Sequence, residues 1–263
     1  MGVLHARKRL GAGQRDVEAL NALYDTIGSG YAHYRKPDPR IAAKINAALG
    51  GARSVVNVGG GAGSYEPKDR AVTAVEPSKT MIAQRAPDAA PVIKGAAEHL
   101  PFPDKSFDAA TAFLTTHHWS DVTAGLKEMR RVARRRCVFF DHTPNDMAFW
   151  LIDDYFPQMR PSFHPLLPLD KARAVFGELR IVPLPVPHDC ADGFLAAYWR
   201  RPQMYLNPRV REAISFFATA GDVQGGIAHL ARDIADGTWA RRNAELLDKT
   251  EMDYGYRLVI AEL

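Results

Sequence analysis

The chain has 263 residues, 46% of them hydrophobic and 24% charged, a balance that is typical of globular proteins and excludes wholesale disorder and fibrous architectures. Its net charge of +4 is too small an excess to indicate a polyanion-binding protein. Cys137 and Cys190 have no zinc-ligand spacing, and no segment reaches the roughly 18 apolar residues of a membrane span, so a cytoplasmic protein without membrane contact is expected.

Two helices are predicted before the first strand. Apolar residues recur at helical spacing between 17 and 27, and a Gly-Ser-Gly break follows at 28–30. The second helix begins at Asp38, as N-cap, with Pro39 in its first turn, and ends at a glycine pair. Both helices precede the regular part of the chain.

Seven β-branched or apolar runs follow, most of them separated by helical segments. The predicted strands cover 54–58, 71–75, 91–93, 107–114, 137–141, 179–186 and 256–261. Ser78 and Ser120 are the expected N-caps of the helices after the second and fourth strands. Continuous apolar strands that alternate with helices indicate an α/β fold: a doubly wound, seven-stranded, mostly parallel sheet that is buried on both faces.

A glycine-rich loop follows the first predicted strand. Residues 55–63 read VVNVGGGAG, and glycines directly after a strand let the backbone approach a ligand closely, although a plain tight turn is the alternative. Glu76 ends the next strand, where a carboxylate can accept hydrogen bonds from both hydroxyls of a ribose. Dinucleotides and S-adenosylmethionine share this arrangement. The G-x-G-x-x-G template of dinucleotide sites fails at Ser64, which favours S-adenosylmethionine.

Further motifs extend the pattern beyond the glycine loop. In chain order they are VEPS at 75–78 with Met81, GAAEHLPF at 95–102, SFD at 106–108 with HHW at 117–119, KEMRRV at 127–132 and GYRLV at 255–259. Together they resemble the class I S-adenosylmethionine-dependent methyltransferases, in particular the bacterial small-molecule branch related to the ubiquinone and menaquinone C-methyltransferases. The resemblance covers about 20–142 and continues more weakly to the end. DGF at 192–194 and YWRRP at 198–202 are also similar to the family, without an assigned role.

The resemblance implies a set of residues that bind S-adenosylmethionine and its product S-adenosylhomocysteine. The set is Tyr31, Arg35, Asn57, Gly59, Gly61, Gly63, Glu76, Pro77, Met81, Ala97, Glu98, Leu114 and His117. Tyr31 and Arg35 would belong to a lid over the cofactor, with Arg35 near a carboxylate; surface exposure is the alternative. Asn57 stands where the family has an acidic residue near the methionyl ammonium, and Ala96 where it has an acidic or amide residue.

One methyltransferase domain, 1–263, is expected. The sheet begins near residue 54 and closes only with the strand at 256–261, so no cut leaves two independent cores. We divide it into N-terminal lid helices (1–50), a cofactor-binding core (51–143) and cap or substrate inserts (144–178 and 187–254). Helices are predicted at 170–176, 208–219 and 225–247. The aromatic stretch 149–163 is the candidate substrate wall, and ordinary packing of the cap is the alternative.

Two histidines are the candidate general bases. Methyl transfer from a sulfonium is an in-line displacement, for which the protein supplies alignment and, where the acceptor needs it, removal of a proton. His118 follows the fourth predicted strand and His142 the fifth, and open α/β sheets bind ligands at this edge. A structural role is the alternative for each. The sequence has no convincing metal-ligand spacing, so no metal is predicted.

The predicted activity is methyl transfer from S-adenosylmethionine to an O, N or C atom of a small, apolar or aromatic metabolite. Three alternatives stay open: a non-catalytic S-adenosylmethionine-binding protein, an RNA or protein methyltransferase, and, less favoured because of Ser64, an NAD-dependent oxidoreductase. Residues 130–136 include five arginines, which we attribute to a helix C-terminus and to solvation rather than to nucleic acid. A homodimer is left open.

Overall fold

A seven-stranded sheet lies at the centre of the computed structural model, which describes residues 31–143, 148–162, 165–218 and 220–263. Its members are β1 (Ser54–Val58), β2 (Ala71–Glu76), β3 (Val92–Lys94), β4 (Phe107–Phe113), β5 (Ala133–His142), β6 (Arg180–Pro183) and β9 (Tyr256–Glu262). The strand order in the sheet is β3-β2-β1-β4-β5-β9-β6. A separate pair consists of β7 (Val186–Pro187) and β8 (Glu251–Met252). The predicted helix at 17–27 lies outside the described residues.

The pairing is parallel from β3 to β5 and antiparallel on both sides of β9. The predicted doubly wound, mostly parallel sheet is therefore confirmed. The run at 179–186 is split, however, between β6 in the central sheet and β7 in the small one. Pro183 and Pro185 lack the backbone N–H that a continuous ladder needs, which accounts for the break.

Short and medium helices connect the strands. Those in the inserts at 144–178 and 187–254 belong to the part of the chain that we call the cap. They are α1 (Tyr31–Tyr34), α2 (Pro39–Leu49), α3 (Lys79–Ala83), α4 (Val122–Val132), α5 (Leu169–Phe176), α6 (Pro208–Glu212), α7 (Ser215–Ala218), α8 (Gln224–Ala235), α9 (Thr238–Arg242) and α10 (Ala244–Leu247). The helix predicted at 225–247 is three helices. Gly237 adopts a left-handed backbone with φ of 76° and ends the first of them, and Asn243 separates the second from the third. The stretch at 208–219 is likewise divided between α6 and α7. Over the described residues, no helix has the length and hydrophobicity to span a membrane.

Side-chain caps define where four of these helices begin: α2, α3, α4 and α6. The Asp38 carboxylate accepts a hydrogen bond from the Arg40 N–H, and the Ser78 hydroxyl accepts one from Met81, so both predicted caps are confirmed. The predicted cap Ser120 is wrong. Asp121 caps α4 instead, accepting from the N–H of Ala124, while the Ser120 hydroxyl donates to Glu98.

Helices cover both faces of the sheet. On one face α2 buries Ile41, Ile45 and Leu49 in a hydrophobic cluster that includes Val55 of β1. On the other face α4 buries Leu126, Met129 and Val132 in a cluster that includes the next residue, Val56. Because successive strand residues point to opposite faces, this alternation identifies a sheet with a core on each side.

The predicted aromatic substrate wall belongs to the core of the cap. Phe149, Trp150, Tyr155 and Phe156 are all buried in the first hydrophobic cluster. The Trp150 indole N–H donates to the carbonyl of Trp199, and its ring meets that of Trp239 edge-on at a centroid distance of 5.2 Å. The substrate-wall prediction is therefore wrong for these four residues, because packing within the cap occupies their rings. Phe163 lies outside the described residues.

A buried carboxyl group at the end of β5 connects three segments. Asp141 is fully buried, and its Oδ1 accepts a hydrogen bond from the His142 N–H. The Thr116 hydroxyl lies 2.6 Å from Asp141 Oδ2 and 3.1 Å from the carbonyl oxygen of Leu166. A hydroxyl has one proton, so both contacts become hydrogen bonds only when the carboxyl carries a proton as well. Burial likewise raises the pKa of Asp141 to about 7.

We predict that replacing Asp141 by Asn changes the pH dependence of folding. Between about pH 4 and pH 7 the folded protein keeps a proton on Asp141 that the unfolded chain has released, so wild-type stability falls as the pH rises through this window. The Asp141→Asn variant lacks this titration. Its free energy of unfolding should therefore rise relative to wild type by about 2 kcal/mol between pH 5 and pH 7, measured by urea denaturation.

Asp108→Asn is the matched control. The Asp108 carboxylate accepts hydrogen bonds from the backbone of Arg53 and Ser54, which lower its pKa to about 2. Asp108 is ionised in both the folded and the unfolded chain between pH 5 and pH 7. The difference in free energy of unfolding between Asp108→Asn and wild type should therefore not vary with pH. If the difference in free energy of unfolding between Asp141→Asn and wild type also stayed constant between pH 5 and pH 7, the prediction would be contradicted.

Candidate functional site

A pocket opens where β1, β2 and β4 end, at the carboxyl edge of the sheet. Many of the predicted cofactor-binding and catalytic residues line it: Arg35, Asn57, Gly59, Gly61, Glu76, Pro77, Met81, Ala97, Glu98, Leu114 and His118. The remainder of the lining was not predicted from sequence: Gly60, Ala62, Ser64, Tyr65, Ser78, Ala96, Phe113, Thr115, Trp119 and Ser120. Most of these are immediate neighbours of predicted residues, since each loop contributes consecutive positions.

Other predicted residues lie elsewhere. A Cβ on Gly63 would face the side chains of Glu66 and Arg85, and Gly63 is not part of the pocket lining. The ring of His117 contacts that of His118 at a centroid distance of 3.7 Å and an interplanar angle of 47°, but His117 is not part of the pocket lining. The buried candidate base His142 contacts the cap, with its Nε2 3.1 Å from the carbonyl oxygen of Tyr254, and it too is outside the lining. The side chain of Tyr31 is outside the described part of the chain.

Glu76 connects two of the loops that form the pocket. Its Oε2 accepts a hydrogen bond of 2.8 Å from the N–H of Gly61, and its Oε1 accepts one of 2.9 Å from Ser78. Burial raises the pKa of Glu76, and these two hydrogen bonds oppose that rise. Each carboxylate oxygen has two lone pairs, so both can accept a second hydrogen bond from a ligand.

Gly59 begins the glycine loop in a conformation that requires glycine. Its φ is 70°, and a Cβ there would lie 2.2 Å from the Thr115 hydroxyl oxygen. The N–H groups of Gly59 and Gly60 both donate to the carbonyl of Val75. The loop thus turns tightly over the end of β2 and presents its backbone, rather than side chains, to the pocket.

A buried ion pair that sequence reasoning missed supports the loop from below. The carboxylate of Glu66 and the guanidinium of Arg85 are 2.7 Å apart, with 2% and 5% of their side chains exposed. Arg85 also donates to the carbonyls of Gly60 and Gly61, and Glu66 accepts from the N–H of Ala90. The pair therefore fixes the outer turn of the glycine loop. The sequence signal that could have indicated this support is the position of Glu66, an acidic residue shortly after the glycine loop.

Asn57 is part of the same buried network. Its Nδ2 donates to Glu66 over 3.2 Å, and its Oδ1 accepts from the Thr111 hydroxyl. An acidic residue at this position would place a second carboxylate beside Glu66, which is unfavourable in a buried site. The amide is thus matched to Glu66, which explains this departure from the family pattern.

The lining of the pocket also includes apolar and aromatic surface and one imidazole. Phe113, Leu114 and Tyr65 are part of it, and Leu114 and Tyr65 have positive φ angles of 50° and 61°. Non-glycine residues rarely adopt this conformation, and such strain is concentrated at functional sites. Burial, with a smaller contribution from the positive charge of Arg35, lowers the pKa of His118 to about 4, so its imidazole is neutral near pH 7.

Glu98 and Trp119 also line the pocket, and each is held by neighbouring residues. Glu98 Oε1 accepts hydrogen bonds from the Ser120 hydroxyl and from the N–H of Asp121. The Trp119 ring lies directly over Gly125 of α4, where a Cβ would come within 2.5 Å of it. Close packing on a glycine therefore sets the position of the indole.

The donors and acceptors of the pocket fit S-adenosylmethionine. The glycine loop provides a surface free of side chains at Gly59 and Gly60, and Glu76 provides a carboxylate with remaining acceptor capacity for ribose hydroxyls. Arg35 contributes a cation that is suited to a carboxylate. The ranges that the structure describes include no group of three or more His, Cys, Asp or Glu residues that could hold a metal ion.

Comparison with known proteins agrees with this geometry. Residues 56–140 match the family model of a methyltransferase domain. A crystal structure from Anabaena variabilis, assigned as a methyltransferase from an antibiotic biosynthesis pathway, is 34% identical with a TM-score of 0.79, and the alignment covers 88% of this chain and 99% of that one.

Two curated proteins match over shorter stretches. The uncharacterized methyltransferase YcgJ of Bacillus subtilis is 30% identical over 40% of this chain and 42% of its own length. The mitochondrial 2-methoxy-6-polyprenyl-1,4-benzoquinol methylase of Drosophila melanogaster is 39% identical over 27% of this chain and 25% of its own length. The chain thus matches less than half of the length of either. The near-complete alignment with the Anabaena structure, the methyltransferase-domain match and the glycine-loop pocket show that the chain belongs to the class I S-adenosylmethionine-dependent methyltransferases.

Proposed function

We propose that this protein transfers the methyl group of S-adenosylmethionine to an O, N or C nucleophile of a small apolar or aromatic metabolite. The observation that carries the proposal is the composition of the pocket. Its lining combines a buried carboxylate and a glycine loop with Phe113, Leu114 and a neutral imidazole. Such a lining offers contacts to a polar ligand and also to a largely apolar one.

On the cofactor side, three residues have distinct roles in the proposal. Glu76 accepts hydrogen bonds from the ribose, and Arg35 pairs with the carboxylate of the methionyl group. Glu98, held by Ser120 and Asp121, lies at the adenine end. When bound, the cofactor supplies a methyl group on a sulfonium, which is a strong electrophile. The residues of the chain then contribute alignment of the acceptor and exclusion of water.

The acceptor side favours nucleophiles that lose a proton easily or need not lose one. His118 is neutral at physiological pH and can accept a hydrogen bond, but with a pKa of about 4 it is a weak base. An acidic phenol, an enol or a carboxylate would suit such a residue better than an alcohol. Two relatives support a small acceptor, since one is a methylase of a benzoquinol and the other is assigned to an antibiotic pathway.

An RNA substrate is less well supported by the arginine-rich segment. The arginine-rich segment is residues 130–136. Helix α4 ends at Val132, so only the first two arginines of the segment are helical, and the other three belong to β5. Arg131 pairs with Glu128 and Asp104, and Arg134 pairs with Asp108. These acidic partners neutralise charges that a polyanion would require.

We predict that Glu76→Gln weakens binding of S-adenosylhomocysteine by about tenfold or more, a loss of about 1.4 kcal/mol. The amide has one oxygen instead of two, so it cannot accept from Gly61, Ser78 and the ribose together. Isothermal titration calorimetry measures the change. Glu128→Gln is the control, since Glu128 also accepts a backbone N–H, from Leu100, but does not line the pocket. Equal affinity of Glu76→Gln and wild type would exclude the ribose role.

The proposed activity is tested by transfer of a radiolabelled methyl group. Purified protein is incubated with labelled S-adenosylmethionine and, separately, with small phenols, carboxylates, amines and total RNA. Label should enter one of the small-molecule classes and not RNA. Tight cofactor binding with no transfer to any of them would support a non-catalytic binding protein, and transfer to RNA alone would overturn the small-molecule proposal. Saturable binding of NADH without binding of S-adenosylhomocysteine would favour the oxidoreductase alternative.

We predict that the imidazole of His118 titrates near pH 4 in the ligand-free protein. Arg35→Met should raise this pKa, because removing a nearby positive charge favours the protonated imidazolium, while burial still keeps it below the usual 6.5. Histidine-selective NMR from pH 8 down to about pH 3 measures the titration. Arg40→Met removes an arginine of the same segment that pairs with Asp38 and Asp189, and it should leave the pKa of His118 unchanged. A midpoint near 6.5 in the wild type would contradict the prediction.

A further inference from the structure

We propose that Asp192 is a positioning residue that orients Arg35 at the pocket and thereby controls affinity for the amino-acid part of the cofactor. The proposal rests on the proposed function, in which Arg35 pairs with the cofactor carboxylate. It gives a role to the DGF motif at 192–194, which lies far from the glycine loop in sequence.

The Asp192 carboxylate is fully buried and has both of its oxygens occupied by partners from other segments. Oδ1 accepts a hydrogen bond of 2.7 Å from Nε of Arg35, and Oδ2 accepts one of 3.0 Å from the Tyr65 hydroxyl. Burial raises the pKa of Tyr65 well above its usual value, so its hydroxyl stays protonated and remains a donor. Asp192 thus has a single well-defined orientation between Tyr65, which follows the glycine loop, and Arg35, which belongs to residues 31–40, called the N-terminal segment below.

The bond to Nε determines how the rest of the Arg35 side chain points. A guanidinium is planar, so a hydrogen bond at Nε also sets the direction of its two terminal nitrogens. Arg35 lines the pocket with 12% of its side chain exposed. A rigid cation loses less conformational freedom when a carboxylate binds, and affinity rises accordingly.

The backbone of the motif brings the two segments together. Arg35 and Asp192 form an antiparallel β-bridge, and the N–H of Gly193 donates to the carbonyl of Tyr34 over 2.8 Å. A Cβ on Gly193 would lie 2.6 Å from that same carbonyl oxygen, so only glycine allows this approach. Phe194 fixes the other end of the motif by packing against Tyr256 with ring centroids 4.4 Å apart.

The chain contains a matched control for Asp192. Asp38 is equally buried and also joins the N-terminal segment to the same loop, through a hydrogen bond from the N–H of Ala191. Its side-chain partner is Arg40, which is absent from the pocket lining. Loss of Asp38 therefore weakens the packing of the segment without removing the side-chain partner of Arg35.

The test compares two probes by isothermal titration calorimetry: S-adenosylhomocysteine, and 5′-methylthioadenosine, which lacks the amino-acid group. Asp192→Asn should weaken S-adenosylhomocysteine binding by about tenfold and change 5′-methylthioadenosine binding by less than about twofold. Asp38→Asn should change both affinities by the same small factor. Equal losses for both probes in Asp192→Asn would mean a merely structural role and overturn the proposal, as would wild-type affinities for both.

A double-mutant cycle with Arg35→Met shows whether Asp192 acts through Arg35. If it does, Asp192→Asn adds no further loss of S-adenosylhomocysteine affinity once Arg35 is replaced. An additional loss in the double variant would overturn the positioning role. If Arg35→Met by itself binds S-adenosylhomocysteine like wild type, the carboxylate role in the proposed function fails, and this result is distinct from a failure at Asp192.

Tyr65→Phe and Gly193→Ala keep the proposal testable if Asp192→Asn does not fold. The first removes the hydrogen bond to Asp192 Oδ2, and the second displaces the backbone that carries Arg35 without changing any charge. Both should reduce affinity for S-adenosylhomocysteine more than for 5′-methylthioadenosine. A loss that is equal for the two probes in both variants would contradict the proposal.

Discussion

Buried carboxylates that accept backbone N–H groups from different loops are the constraint on which this pocket depends. Glu76 holds the glycine loop at Gly61 and the turn at Ser78. Glu66 accepts from the N–H of Ala90 and pairs with Arg85, whose guanidinium in turn donates to the loop carbonyls of Gly60 and Gly61. A loop with several glycines has high conformational entropy when unfolded, so it needs such external anchors to adopt one shape. The pocket is therefore defined by the loops' polar partners at least as much as by their own sequence.

A further buried carboxylate, Asp192, joins the segment that carries Arg35 to the cap. Its partners are side chains rather than backbone N–H groups: it accepts from Nε of Arg35 and from the hydroxyl of Tyr65, so two residues of the pocket lining meet on one carboxylate. Removing one partner of a buried charged pair leaves the other desolvated, which is costly. Movement of the N-terminal segment away from the pocket would have to break this group of contacts together, so the segment should move as a unit.

Local signals predicted the sheet and many of the residues that line the pocket. The strands, the caps Asp38 and Ser78, the glycine loop and Glu76 all depend on residues that are close in sequence. The predictions that failed depend on contacts between residues that are farther apart in the sequence. Ser120 and Asp121 both have capping side chains, and the choice between them depends on Glu98, which takes the Ser120 hydroxyl. Nothing in the sequence around Asp192 indicates a partner 157 residues away, and the aromatic stretch at 149–156 is compatible with either a pocket wall or a core until the cap surrounds it.

The identity of the acceptor is connected to the identity of the cofactor through Arg35. The positive charge of Arg35 that would pair with the methionyl carboxylate also lowers the pKa of His118, so strong cofactor pairing and a strong general base oppose each other here. Burial is the larger cause of the lowered pKa, so His118 is a weak base whether or not Arg35 is paired. Selection among acceptors would then depend on how readily they ionise and on their fit against Phe113 and Leu114, rather than on the aromatic residues of the cap.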